Sequence, residues 1–483
     1  MNNLKRLCLF SMAMIWSMTM HSQMVFSLDS AVSFALQNNK QLNATRYDVE
    51  KSESALKEVR AGWLPQVDAT VDFLTYFGYE MEFAMGGEGG MPTFTLEAMT
   101  NALTAANNAA AATAAMGGSG KFDMSQYVGG AAYESSIQSS LPAQKIDMGN
   151  SSTAKVQLGW MLFNGQVISG LKAAKIGIEM ASANVQLTEL DVRANVASTY
   201  YSALTLEKTL EIVESSYDEL KELFDQTEVS VRAGVIEETE LDQLRIQLTN
   251  LKNTKLAMSR NVQVVYNLLR FHMGLPVNEP IVLESDIDLI VAAMMEERAL
   301  LQEFDIAMNP TYQIMEKQVE LSEQMMKMEK MAYVPNLSAF YAYNAKLLTS
   351  GFDMTPNNMG GATLNIPIFS GFMRKNKVNQ KRIELLQAEA DRDILKDNLL
   401  LQESQLRFDY ISKFEQFENH KENVEVARRV FDNYERKFEN GAASGMELTQ
   451  ANSNYLQAES EYLNSMLSLL EARVSFFKLL NTL

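Results

Sequence analysis

Proline is missing from two very long stretches of this 483-residue chain, and that absence constrains the fold more than any other feature. The nine prolines are Pro65, Pro92, Pro142, Pro276, Pro280, Pro310, Pro335, Pro356 and Pro367, so none falls between 143 and 275 and none after 367. A proline inside a helix removes a hydrogen bond and clashes with the preceding turn. Both windows are rich in Leu, Ala, Glu, Gln, Lys and Arg, which favour helix. Gly234 and Gly441 sit within the windows, and each reads as a tight turn between antiparallel helices. The pattern predicts long helices over about 166–231 and 372–438, each on the order of 100 Å at 1.5 Å per residue. The returning helices carry apolar stripes at 3/4 spacing: Leu241, Leu244, Leu248, Leu251, Met258, Val262, Val265 and Leu269 in one, broken at Lys255, and much the same in the other with Leu448, Ala451, Tyr455, Ala458, Tyr462, Leu469, Ala472 and Phe476. Such stripes report coiled-coil packing and carry no chemistry.

The chain is duplicated. Asn39 aligns with Asn309, and Trp63-Leu64-Pro65 with Tyr333-Val334-Pro335, at one offset of 270. Leu162-Phe163-Asn164-Gly165 aligns with Ile368-Phe369-Ser370-Gly371 at 206, and Gly234 with Gly441 at 207. The change of offset places an insertion in the first half. The expected organisation is a targeting segment (1–22), a first repeat (23–280) and a second repeat (281–483). Each repeat runs helix, two strands, long helix, turn, helix. The insert, about 77–150, is glycine-rich and reads as a loop with an Ala-rich stretch at Ala105–Ala115; a lid is the other possibility. The second-half loop is shorter, about 344–359.

The strand segments alternate. Val67, Ala69, Val71 and Phe73 interleave with Gln66, Asp68, Thr70 and Asp72; Val156, Leu158, Trp160 and Leu162 interleave with Lys155, Gln157, Gly159 and Met161. Leu337, Ala339 and Tyr341, then Ala362, Leu364, Ile366 and Ile368, repeat the pattern. Strands of about ten residues with one apolar and one polar face suit a transmembrane barrel with a wet interior, and equally a half-exposed soluble sheet. Four strands cannot close a barrel, and open edges are not tolerated in lipid. A membrane sheet of this kind therefore requires several chains.

Composition excludes other classes. A net charge of −18 argues against nucleic-acid binding. A single cysteine, Cys8, excludes a disulfide framework or a cysteine-based zinc site. No apolar run reaches the length of a spanning helix. Lys5 and Arg6 precede an apolar run from Leu7 to Met20, the layout of a secretory signal peptide cleaved between Thr19 and Gln23; an uncleaved anchor is the alternative. The histidines left after cleavage, His272 and His420, fall on helices, and no phosphate loop, metalloprotease or nucleophile-elbow motif occurs, so no enzyme activity and no cofactor are expected. The 30 methionines read as adaptable apolar fillers.

The ordered set of a signal peptide, a duplicated strand-strand-helix-turn-helix unit, the Leu64-Pro65 and Val334-Pro335 turns, Leu28-Asp29-Ser30-Ala31 with Asn38-Asn39, and Ile366-Pro367-Ile368-Phe369-Ser370-Gly371 resembles the TolC family of outer-membrane efflux ducts, over about Ser27 to Leu483. The resemblance implies a mainly α fold with four β-strands per chain. It also implies a homotrimer forming a 12-stranded barrel in outer-membrane lipid, continued by a periplasmic helical tunnel. Its implied partners are a periplasmic adaptor (membrane fusion) protein and an inner-membrane pump, and its implied role is passage of drugs, toxic compounds or proteins without catalysis. The rival reading is a periplasmic coiled-coil tether without a pore, which leaves the alternating segments unexplained.

The resemblance also implies acidic rings at the closed tips, a few residues after each turn glycine. Six positions on, these fall on Glu240 and Glu447, with Asp242 as a further candidate and Gln450 where a second carboxylate would stand. Converging like charges select cations and raise their own pKa values; a plain solvated helix face is the alternative. Adaptor docking maps onto Arg232-Ala233-Gly234-Val235 and Glu439-Asn440-Gly441-Ala442, the second departing from the family pattern with an acid where a basic or aromatic residue is common.

Overall fold

The structure, a computed structural model, describes residues 24–75, 80–83, 144–147, 150–234, 237–296, 303–349, 355–440 and 442–483. The expected signal peptide and the Ala-rich stretch at Ala105–Ala115 lie outside the described residues. The chain divides into a helical unit and a strand unit.

The helical unit contains α1 (Leu28–Asn38), α2 (Lys40–Ala61), α3 (Gly165–Arg232), α4 (Glu238–Met273), α5 (Ile287–Glu296), α6 (Pro310–Met331), α7 (Met373–Glu439) and α8 (Gly445–Leu480). The two long helices, α3 and α7, match their expected spans to within one residue at each end. Both α2 and α6 stop four residues short of a proline, Pro65 and Pro335, as helix termination before proline requires. A short parallel ladder joins β1 (Met24–Phe26) to β6 (Ile281–Leu283). The core sits midway along α3 and α7 and toward the C-terminal ends of α4 and α8: Val196, Tyr200 and Tyr201 of α3 pack with Leu269 and Met273 of α4, Tyr410 and Phe417 of α7, and Met466, Leu469 and Phe476 of α8. Each large side chain so buried contributes roughly 1.5–3 kcal/mol. The ion pairs around it, such as Arg46–Glu189 at 3.1 Å, are half-exposed and contribute on the order of 1 kcal/mol or less, so apolar packing dominates.

Two asparagines tie the helical ends together in the same way. The Oδ1 of Asn39 accepts from the N–H groups of Gln41 and Leu42, capping α2, while its Nδ2 donates to His272 O at 2.7 Å. Asn309 caps α6 through Thr311 and Tyr312 and donates to Leu479 O at 3.0 Å. Past α4 the chain turns at Gly274 with φ +78°, where a Cβ would lie 2.3 Å from Asn38 O. At the matching place after α8, Asn481 adopts φ 60° and donates to Met308 O at 3.1 Å.

The strand unit holds an antiparallel sheet in the order β2 (Gln66–Thr75), β5 (Asn150–Phe163), β7 (Asn336–Thr349), β8 (Asn358–Asn365). Its register sorts the side chains by face. Val67 pairs with Leu158, and Leu158 with Tyr341; Ala69 pairs with Val156, and Val156 with Tyr343; Leu337 pairs with Leu364. The opposite face carries Asp68 beside Gln157, Thr70 beside Lys155, and Asp72 beside Thr153. Two expectations are corrected here. β7 continues to Thr349, so the second-half loop is shorter than 344–359, because Ala345, Lys346, Leu348 and Thr349 stay paired with Ala154, Thr153, Ser152 and Ser151 of β5, while Asn344 bonds through N–H and Nδ2 to Asn357 O and Pro356 O. β8 ends at Asn365, leaving Ile366 and Ile368 beyond it, flanking a proline that lacks the N–H a ladder needs. The insert opens on an ordered base: β3 (Glu80–Phe83) pairs antiparallel with β4 (Gln144–Asp147).

Candidate functional site

The two helical turns expected to carry the site differ in construction. At the end of α3, Ala233 N–H donates to Val229 O and Gly234 N–H to Val231 O, and Gly234 takes φ +72°, which only glycine adopts freely. Arg232 pairs with Glu228 one turn back at 3.0 Å. Arg232, Ala233 and Gly234 are exposed. Val235 lies outside the described residues.

After α7, whose last residue is Glu439, Asn440 closes the helix. Its backbone N–H and its Nδ2 both donate to Arg436 O, at 3.3 and 2.6 Å. Ala442 N–H reaches back to Lys437 O at 2.7 Å. Gly441 lies outside the described residues.

α8 then begins with a reciprocal cap. Glu447 N–H donates to Ser444 Oγ at 3.3 Å, and the Glu447 carboxylate accepts from Ser444 N–H at 2.9 Å. The bond from Ser444 N–H and a second from Ser444 Oγ at 3.1 Å hold the Glu447 carboxyl below the usual carboxylate range, the backbone N–H contributing most. The single chain thus shifts Glu447 in the direction opposite to the rise that converging charges would cause. Counting from the turn glycine missed this role, although Ser-x-x-Glu ahead of an apolar stripe is its sequence signature.

Glu240 is half-buried in the first turn of α4. Its Oε2 lies 3.5 Å from where a Cβ on Gly445 would sit, so it faces the start of α8. Glu240, Gln243, Gln247 and Gln450 line a groove of about 180 Å³ between α4 and α8. The structure therefore brings Glu240 and Gln450 together. Asp242 stands apart, paired with Arg245 at 3.1 Å, both side chains exposed; the Arg245 guanidinium in turn covers the Phe224 ring of α3 at 5.7 Å. A neighbouring cavity of about 220 Å³ between α3, α7 and α8 is lined by Glu219, Glu222 and Glu435 with Phe431 and Phe438. These carboxylates were not singled out in the sequence, because a lone helix-face acid gives no sign of what it faces.

The two described histidines, His272 and His420, lie on α4 and α7. His272 stacks edge-on against Phe271, and burial lowers its pKa. His420 Nδ1 lies 3.6 Å from Glu461. Among the described residues no group of three or more His, Cys, Asp or Glu could hold a metal ion, and no helix is long and apolar enough to cross a membrane.

Comparison with solved structures finds the same mainly helical fold with few strands in outer membrane channels. CmeC of Campylobacter jejuni is 14% identical over 94% of this chain and 85% of its own, with a TM-score of 0.65. VceC of Vibrio cholerae is 14% identical over 94% and 95%, with a TM-score of 0.63. The open-state MtrE channel of Neisseria gonorrhoeae is 14% identical over 94% and 88%, with a TM-score of 0.64. No curated protein matches in sequence. The sequence model of the family described as outer membrane efflux protein matches residues 91–275 and 306–482, most of the chain. The chain belongs to the outer membrane efflux protein family.

Proposed function

We propose that the protein is the outer-membrane exit duct of a tripartite efflux or type I secretion system. In this reading three chains pool their strands into one 12-stranded barrel, the helices line a periplasmic tunnel, and the tips meet a periplasmic adaptor and an inner-membrane pump. The observation that carries the reading is the sheet. One face is mainly apolar and the other mainly polar, and among the described residues the outer edges of β2 and β8 pair with no further strand. Val67, Val71 and Phe73 on β2 are each more than 60% exposed. Such a face suits lipid, and lipid forbids the open edges, so neighbouring copies supply the missing pairings.

In the same reading Glu240, Glu447 and Asp242 stand at the constriction. Glu240 is supported by its half-burial in the groove it shares with Gln243, Gln247 and Gln450 at the start of α8. Residues 232–235 and 439–442 are the docking tips, supported by the exposure of Arg232, Ala233, Gly234, Asn440 and Ala442. Disulfide trapping tests the barrel: cysteines placed along β2 and at Leu364 of β8 should yield a covalent trimer in at least one register. Only intrachain products would sink it.

A further inference from the structure

The start of α7 carries a charge pattern that the duct reading does not use. From Phe369 to Arg382 the chain has five cations, Arg374, Lys375, Lys377, Lys381 and Arg382, and no acid, within a chain of net charge −18. Cations at a helix N-terminus oppose the helix dipole. No acid stands in the first turn and no side chain caps it, because the N-cap is Phe372 in the left-handed region at φ 64°. Of the five, Lys381 pairs with Glu384 at 2.7 Å. Lys375, Lys377 and Arg382 are exposed and make no ion pair among the described residues.

Directly ahead of them, Phe369 is 76% and Phe372 63% exposed, their rings edge-to-face at 5.6 Å. Beside them, a groove of about 610 Å³ between α6 and α7 sets Lys330, Lys375 and Arg382 among Met326, Val378 and Leu386, with Glu389 two turns beyond Arg382. Helix formation does not demand this pattern. At the matching offset in α3 stand Ile168, Ser169, Leu171 and Ile176, with Lys175 alone conserving a charge.

We propose that this segment binds anionic phospholipid at the periplasmic face of the membrane that holds the strands. Phe369 and Phe372 enter the acyl boundary, and Lys330, Lys375 and Arg382, which share the groove, hold the headgroup phosphate, while Lys377 on another side of α7 adds positive charge near the anionic surface. The phosphate supplies the negative charge that the uncapped N-terminus of α7 lacks. Chain order gives the matching polarity, since in sequence Phe369 and Phe372 fall between β8 and the cations. The proposal rests on the outer-membrane reading of the strands.

The test is native mass spectrometry of the full-length protein in detergent, titrated with phosphatidylglycerol, phosphatidylcholine or inorganic phosphate, beside a Lys375→Gln/Lys377→Gln/Arg382→Gln variant. Phosphatidylglycerol should bind at least about tenfold more tightly than phosphatidylcholine, and the variant should lose on the order of 100-fold in that affinity while keeping its oligomeric state. Equal binding of the two lipids, unchanged binding by the variant, or equally tight binding of phosphate alone would overturn the proposal. So would an oligomer that falls apart in the variant, which would assign the patch to a neighbouring copy. Fractionation of the wild type away from the outer membrane would instead defeat the duct reading, whatever its lipid preference in detergent.

Discussion

At the scale of single residues, two positions in matching places show how similar geometry is met by different chemistry. Gly274 is left-handed and its missing Cβ makes room for Asn38 O, whereas Asn481 is left-handed and donates to Met308 O. Gly274→Ala should therefore cost at least about 1–2 kcal/mol from backbone strain alone, with the 2.3 Å clash adding more, while Asn481→Gly sets the loss of the bond to Met308 O, about 0.5–1.5 kcal/mol, against relief of the left-handed backbone and should cost less than about 1.5 kcal/mol; urea unfolding measures both. Glu447 carries the cap of α8, and its carboxyl is held below the ordinary range. A depressed carboxyl adds stability that is full above its unfolded pKa and is lost as pH falls through the folded value. Acid should therefore loosen the start of α8, and Glu447→Gln, which retains a side-chain acceptor, should loosen it less than Glu447→Ala. His272 behaves in the opposite chemical sense, because burial favours its neutral form. Its penalty is absent above the unfolded pKa of about 6.5 and grows as pH falls below it. His272→Gln should flatten that part of a melting-temperature profile against pH, and an unchanged profile would refute the assignment.

At the scale of elements, the long helices were legible because proline and glycine punctuate so sparsely, and Gly234 marked its turn correctly. The alternating cores of the strands were legible too, through residues such as Val156, Leu158 and Trp160. Their ends were not. β5 begins at Asn150 with Asn, Ser and Thr, which show no apolar alternation, and β1 and β6 are three residues each, too short for any period. The base of the insert, β3 with β4, was hidden for the same reason. At the candidate site the acids could be counted but not oriented: sequence spacing treated Glu240 and Glu447 as equivalents, whereas the structure turns Glu240 toward Gly445 and spends Glu447 on Ser444. The assignment of sheet faces is open to a direct test. Leu158→Lys should cost about 2–4 kcal/mol if its face meets the middle of a bilayer, whereas Gln157→Lys on the opposite face should cost little. Refolding into lipid vesicles, followed by heat-modifiable gel migration, separates the two; equal effects would contradict the assignment.

At the scale of the whole molecule, the account is that chains with unpaired sheet edges assemble into a conducting duct narrowed by carboxylates. The most direct test is single-channel conductance in a planar bilayer, comparing wild type with Glu240→Gln/Glu447→Gln, a pair chosen so that the Gln at 447 can still accept at the cap. The account predicts small, cation-selective openings in the wild type, and in the variant a loss of selectivity or wider openings. Conduction unaltered by the variant would leave the duct standing and remove these carboxylates from its constriction. A wild type that does not conduct and fractionates away from the outer membrane would contradict the account itself.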